Sequence, residues 1–167
     1  IDATNYTMTI SGTGNFTGST TKTWSIAAKS LTVSWTNTAL TYNGSAQQQT
    51  ASVVTGVTGE TISFTYTFTA KSGSSLTSSK AVNYGSYTAT ATAKVTGGQA
   101  KVSNYSLSPL TCDFDIAKYQ LTIPSKLTTT YTYSGKARTY TPTNYDSETM
   151  GISGNSQTAA GTHTVTV

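Results

Sequence analysis

Residues 83–93 read Asn-Tyr-Gly-Ser-Tyr-Thr-Ala-Thr-Ala-Thr-Ala, a glycine turn followed by regular alternation of apolar and hydroxyl side chains. This period of two is typical of a half-buried β-strand, with Tyr87 and three alanines on one face. A shorter version of the phrase returns at residues 160–167 as Ala-Gly-Thr-His-Thr-Val-Thr-Val. A strand phrase that recurs within one chain predicts repeated domains.

The composition of the 167-residue chain also favours strands. Threonine is the most abundant residue type, at 38 positions, and only 10% of the residues are charged. β-Branched and aromatic side chains pack well on a pleated surface, and glycine or asparagine separates the alternating stretches. We therefore expect an all-β fold without helices of consequence.

The boundaries between repeats can be located from two further correspondences. Residues 24–31 read Trp-Ser-Ile-Ala-Ala-Lys-Ser-Leu, and residues 114–121 read Phe-Asp-Ile-Ala-Lys-Tyr-Gln-Leu, which sets a period of 90 residues. We predict the closing strands of one repeat, a complete antiparallel β-sandwich and the opening part of a third repeat. These segments are residues 1–28, 29–118 and 119–167. The short joints between them predict a stiff string of domains.

Several motifs recur at equivalent places in these segments. They are Tyr-x-Gly at 42–44 and 133–135, an Asn-Tyr pair, the Gly-Ser-Tyr-Thr-Ala-Thr strand, and a closing aromatic-x-Ile-Ala-Lys. The set resembles bacterial Ig-like repeats, which occur in tandem on large surface proteins and adhesins and on phage tail and fibre proteins. The resemblance implies tandem immunoglobulin-like β-sandwiches that serve as non-catalytic stalks, spacers or adhesive arms. It implies an extracellular, cell-surface location, with a phage virion as the alternative.

The corner residues and the large apolar side chains are predicted to be structural: Gly85, Tyr87, Gly161, His163, Trp24, Trp35 and Phe114. Tyr87 follows the turn at Gly85 in the manner of a tyrosine corner, in which the ring is buried and the hydroxyl bonds nearby backbone. His163 occupies the corresponding place after Gly161. Large inward-facing side chains are expected at Trp35 and Phe114, and in an N-terminal hairpin at Tyr6, Met8, Ile10, Trp24 and Ile26.

Residue types that carry catalysis or bind metals are sparse. Cys112 shares strand parity with Phe114 and is interpreted as a small core residue, and a single histidine does not make a transition-metal site. Asp113 and Asp115 lie two apart on a strand and should both face solvent, so they cannot form a facing carboxylate pair. Residues 146–148, Asp-Ser-Glu, could contribute to a weak calcium loop but lack EF-hand spacing. We expect no enzyme, no cofactor and no metal.

Charge and aromatic content bear on partners. The net charge of +4 comes from scattered lysines and a single arginine, which argues against nucleic-acid binding. No run of 18 apolar residues is present, so membrane insertion is not expected within this segment. The absence of a signal peptide or an initiator methionine suggests an excerpt of something longer. The 11 tyrosines leave a carbohydrate-binding module as a further alternative.

The two incomplete segments suggest one sharper hypothesis. Residues 119–167 lack closing strands, and residues 1–28 are closing strands. Neighbouring repeats in cis could complete each segment, or identical subunits could complete one another head to tail by strand addition. The ligand or receptor, if there is one, is not indicated by the sequence.

Overall fold

The computed structural model describes residues 1–98, 101–126 and 130–167, and its regular elements are β-strands apart from one 3-10 turn, Val102–Asn104. The chain forms two compact units, Ile1–Tyr119 and Gln120–Val167. The prediction of an all-β protein is confirmed. The strands are β1 (Asn5–Ser11), β2 (Ser19–Ser25), β3 (Lys29–Thr32), β4 (Ser34–Trp35), β5 (Leu40–Thr41), β6 (Ala51–Ser52), β7 (Thr61–Ala70), β8 (Gly85–Thr96), β9 (Tyr105–Ser108), β10 (Thr111–Ala117), β11 (Arg138–Thr139) and β12 (Ser156–Gln157).

The first unit is built around a four-stranded sheet with the order β5-β10-β8-β7. Three two-stranded sheets accompany it, formed by β1 with β2, β3 with β9, and β4 with β6. Several sheets around one core are consistent with a β-sandwich. Strand β10 lies inside the largest sheet, so both of its edges are paired.

The register between β7 and β8 matches large side chains to small ones. Phe64, Tyr66 and Phe68 lie opposite Ala93, Ala91 and Ala89, and the order reverses at Ala70, which lies opposite Tyr87. Alternating large and small residues across a pair of strands lets one face fill at uniform density. The opposite face of β7 is exposed and carries threonine and serine, as the period of two predicts.

The buried core lies on this inner face. Tyr87 and Ala89 are fully buried and pack with Ala81, Phe114 and Ile116. Partly buried hydrophobic side chains surround this cluster, including Trp35, Leu40, Phe68 and Leu76. The core therefore joins the middle strands of the sheet to β4, to β5 and to the loop that precedes β8.

The expectation of a purely antiparallel sandwich is wrong in one respect. Strand β3 pairs with β9, and β5 pairs with β10, in parallel register. Parallel partners need a long connection rather than a tight turn. Both pairs join strands early in the first unit to strands near its end, so the intervening strands supply that connection.

The N-terminal hairpin forms as predicted, but its apolar face has no cover. Strands β1 and β2 pair over seven positions, from Asn5 opposite Ser25 to Ser11 opposite Ser19. The inward orientation expected for Met8, Ile10 and Trp24 is wrong, because about half of each side chain is exposed. A two-stranded ribbon has no second layer against which to bury a face.

The second unit has little regular structure among its described residues. Among those residues, the only strands are the short antiparallel pair β11 and β12. Two isolated β-bridges also form, one between Ser125 and Thr143 and one between Ser153 and Thr166. Pro142 is buried, and nearly all other described side chains are exposed or half-exposed.

Candidate functional site

The corner at the start of β8 is the most strongly constrained feature of the first unit. Gly85 has a φ of 144°, and a Cβ there would lie 2.9 Å from the Ser74 Cβ and closer still to its hydroxyl. The Ser86 N–H donates to that hydroxyl at 2.8 Å. Only glycine combines this backbone conformation with so close an approach.

Tyr87 follows directly and is completely buried. Its hydroxyl donates to the backbone carbonyl oxygens of Asn83 and Ser75, at 2.9 and 3.1 Å. Burial raises the pKa of the phenol, so the group remains a neutral donor. The ring stacks on Phe114, with centroids 5.6 Å apart, and thereby ties β8 to β10.

The same local geometry recurs around His163. Gly161 has a φ of 145°, and the His163 Nε2 lies 3.0 Å from the carbonyl oxygen of Ala159. In both corners the ring reaches the carbonyl four residues earlier. The difference is burial, because the ring of His163 is exposed whereas that of Tyr87 is not.

The two tryptophans lie in contrasting surroundings. Trp35 is half-buried, donates from Nε1 to the Pro109 carbonyl at 3.1 Å, and meets the ring of Tyr66 edge to face. Trp24 stacks on Tyr6, with centroids 4.7 Å apart, but its outer side is open to solvent.

A groove of about 680 Å³ lies within the second unit. Its lining includes the segment Tyr131, Thr132 and Tyr133 and residues 161–163 with Val165 and Val167. Lys136, Arg138 and Tyr140 also line it. Nothing in the sequence marked this groove, because its lining comes from separated segments of the second unit rather than from a motif.

A clamp of polar contacts holds the N-terminal residues to the turn before β9. The Asp2 carboxylate pairs with the Lys101 ammonium and accepts from the Asn104 amide at 3.3 Å. The Ala3 N–H donates to Asn104 Oδ1 at 2.8 Å, and the Tyr6 hydroxyl donates to the Asp2 carbonyl at 2.7 Å. The hydrogen bond from Lys101 lowers the pKa of Asp2.

The other candidate acids make local contacts. Asp113 and Asp115 are exposed, as expected, and Asp113 pairs with Lys71 at 2.7 Å and accepts from the Thr88 hydroxyl at 2.6 Å. Asp146 accepts from the Glu148 N–H and the Thr149 hydroxyl, which lowers its pKa. Within the described ranges, no three His, Cys, Asp or Glu side chains gather where they could hold a metal ion.

Cys112 is only partly buried, so the expected core placement is incomplete. Its pKa is raised, chiefly by desolvation, which favours the thiol over the nucleophilic thiolate.

Comparison with known proteins gave no match: no protein family, no curated protein and no solved structure is significantly similar to this chain. None of the helical turns among the described residues is long and apolar enough to cross a bilayer.

Proposed function

We propose that this chain is a non-catalytic structural segment, a spacer made of tandem Ig-like β-sandwich repeats in an extracellular bacterial surface fibre or adhesin. The observation that carries the proposal is the repeated corner. The turns at Gly85 and Gly161 share their φ angle, and Tyr87 and His163 share a ring-to-carbonyl contact four residues back. One unusual backbone conformation at matching sequence positions supports a repeating module, and repetition is how spacers gain length.

The placement of the last strand suits a module that carries tension. Strand β10 ends at Ala117, two residues before the end of the first unit, and it is paired on one edge with β8 and on the other with β5. Force applied along the chain at this point runs along β10, and therefore across the hydrogen bonds that pair it with β8 and β5. Several hydrogen bonds must then fail together rather than one after another.

The clamp formed by Asp2, Ala3, Lys101 and Asn104 also suits a stiff spacer. It joins the residues that precede the hairpin to the complete repeat. Several polar contacts at one joint restrict its bending more than a free linker would.

Single-molecule force spectroscopy tests the proposal. The 167-residue chain is held between handles at its ends, and we expect one resolved unfolding event with roughly 25–30 nm of released length, from about 90 residues. The Phe114→Ala variant should lower the unfolding force, because it removes the ring between β8 and β10. Extension without any resolved event would contradict a force-carrying role.

A carbohydrate-binding role is the second candidate, favoured by one observation. Tyr42 and Tyr119 are both exposed and line a shallow pocket with Thr41 and Asn43. Exposed tyrosine rings can stack on sugars. A glycan array with the wild-type chain and a Tyr42→Ala, Tyr119→Ala variant distinguishes this role, since a spacer should bind no glycan in either form.

Cell-surface and virion locations are separated by imaging. Antibodies against residues 29–118, applied to producing cells and to purified phage particles, should label the cell surface under the proposal. Labelling of virions alone would favour the phage alternative.

A further inference from the structure

Strand β7 forms one edge of the four-stranded sheet. In the order β5-β10-β8-β7 it has β8 on one side, and no strand among the described residues pairs with its other side. The strand is ten residues long, whereas β5, at the opposite edge, has only two. A long row of N–H and C=O groups at a sheet edge is a template for pairing with a further strand.

Backbone direction shows which residues of β7 face this edge. The Lys71 N–H donates to the Ser86 carbonyl at 2.9 Å, which continues the β7–β8 register by one pair. The backbone groups of odd-numbered residues therefore point to β8. Because these groups alternate in direction along an extended chain, those of the even-numbered residues from 62 to 70 point to the open edge.

Strand β7 lacks the features that usually protect an edge strand from pairing. Its sequence, Thr-Ile-Ser-Phe-Thr-Tyr-Thr-Phe-Thr-Ala, contains no charged residue, proline or glycine. Its register with β8 runs without interruption from Thr61 to Ala70, so no bulge turns the strand away. Charges, prolines and bulges are the common means by which proteins prevent association through an edge.

The inner face of β7 is also incompletely covered. Tyr87 and Ala89 in the neighbouring strand β8 are fully buried. In β7, Phe64, Tyr66 and Phe68 lie on the same face of the sheet but are only partly buried. A strand added beside β7 would remove more of these rings from water, which is favourable.

The sequence of β7 indicates which strand fits. Residues 64–68 read Phe-Thr-Tyr-Thr-Phe, which is symmetric about Tyr66. Antiparallel pairing with a second copy centred on Tyr66 places Phe64 opposite Phe68 and Thr65 opposite Thr67. Aromatic pairs and threonine pairs are both favourable across strands. Tyr66 belongs to the even-numbered set that faces the edge, so the centre of symmetry also has the correct hydrogen-bonding phase.

The charges at the two ends of β7 favour the same orientation. Glu60 precedes the strand and Lys71 follows it. Antiparallel pairing brings the acidic end of one copy beside the basic end of the other. Parallel pairing would place like charges together, which is destabilising.

We propose that β7 of one copy of this chain pairs antiparallel with β7 of a second copy, about a two-fold axis at Tyr66. The pairing joins the two four-stranded sheets into one. Because both copies use the same edge, the association closes at a dimer. The inference goes beyond the proposed spacer role and does not depend on the repeat architecture. Its consequence is side-by-side association of two chains.

Charge substitutions on the exposed face of β7 test the pairing. Thr65→Lys with Thr67→Lys places two pairs of like charges across the axis, and we expect dimerisation to weaken by about two- to thirtyfold. Light scattering over a concentration series measures it. The matched control, Thr90→Lys with Thr92→Lys, adds the same charge to the same face of β8, opposite these positions. It should dimerise like the wild type.

The opposite substitutions provide a rescue. A Thr65→Glu, Thr67→Glu variant should dimerise weakly by itself but form a heterodimer when mixed with the lysine variant of β7. Failure of this rescue, equal weakening by the β7 and β8 variants, or a wild-type chain that is monomeric at every concentration would each overturn the proposal. Protection of the even-numbered β7 amides only after addition of a synthetic extended peptide would assign the edge to peptide binding and overturn self-pairing.

Site-directed disulfide formation tests the register. In a Cys112→Ala background, one copy carries Thr65→Cys and a second, isotope-labelled copy carries Thr67→Cys. After oxidation of the mixture, mass spectrometry should find the mixed disulfide well above the half expected from random pairing. Ser63→Cys with Thr67→Cys lies two positions out of register and should give only random pairing. Random pairing in both mixtures, or enrichment in the control alone, would overturn the axis at Tyr66.

Discussion

At the residue scale, Tyr87 and His163 show how one position works with and without a surrounding core. Each ring reaches a carbonyl four residues back. The Tyr87 hydroxyl also bonds a second acceptor, the Ser75 carbonyl, and its ring stacks on Phe114. The hydrogen bond to the preceding turn is thus local, whereas the packing depends on β10, which lies near the end of the first unit.

Removing the Tyr87 hydroxyl should destabilise the first unit. Tyr87→Phe keeps the ring but removes the buried donor of two part-buried hydrogen bonds to the Asn83 and Ser75 carbonyls, so we expect a loss of about 1–2 kcal/mol in the free energy of unfolding. Urea denaturation measures it. Tyr84→Phe is the matched control, because Tyr84 is exposed and its loss of a hydroxyl should change little. Equal midpoints for the two variants would contradict a structural role for the Tyr87 hydroxyl.

The clamp at Asp2 should respond to acid. Lys101 lowers the pKa of Asp2 in the folded chain. The contact therefore contributes stability above the ordinary aspartate pKa, about pH 4, and that contribution is lost as the pH falls through the lowered value. We expect the Ala3 amide, followed by NMR, to exchange faster below this range.

Asp2→Asn provides the control for this titration. In this variant, the exchange rate of the Ala3 amide should follow only the intrinsic pH dependence of amide exchange, without the additional increase at acid pH. A step of the same size in the variant would assign the titration to another group.

At the element scale, the pairing of β7 with β8 depends on size as much as on hydrophobicity. The aromatic residues of β7 lie opposite alanines of β8, which leaves little room for a larger side chain. Ala89, opposite Phe68, is fully buried. Only a side chain as small as alanine therefore fits opposite the aromatic rings of β7.

Enlarging Ala89 should therefore be costly. We expect Ala89→Leu to destabilise the first unit by about 1–3 kcal/mol through overpacking, measured as a lower urea midpoint. Thr92→Leu places the same side chain on the exposed face of the same strand and should change stability much less. A larger loss for Thr92→Leu would show that the outer face is the constrained one.

At the scale of the whole molecule, stability is unevenly distributed. The first unit has a buried core, whereas the second has a groove and mostly exposed side chains. In dilute protein, we expect amides in β8 to exchange at least about a hundredfold more slowly than those of residues 161–167. Hydrogen exchange followed by mass spectrometry measures both segments in one experiment. Equal protection would contradict the difference in burial between the two units.

Local patterns were sufficient to predict much of this protein. Alternation in residues 83–93 predicted the strand that the structure places at Gly85–Thr96 and the face it buries, because strand periodicity is a property of consecutive residues. The glycine at the corner and the tyrosine after it were predicted on the same grounds. The hairpin of β1 and β2 also followed from its own sequence.

What only the tertiary structure decided depends on residues far apart in the chain. The parallel pairing of β3 with β9, the size matching across β7 and β8, and the open groove cannot be derived from consecutive residues. The same holds for burial, since Phe114 and Trp24 occupy matching sequence positions but only Phe114 is covered. The sequence determines which face of a strand is apolar, and the presence of a second layer determines whether that face is buried.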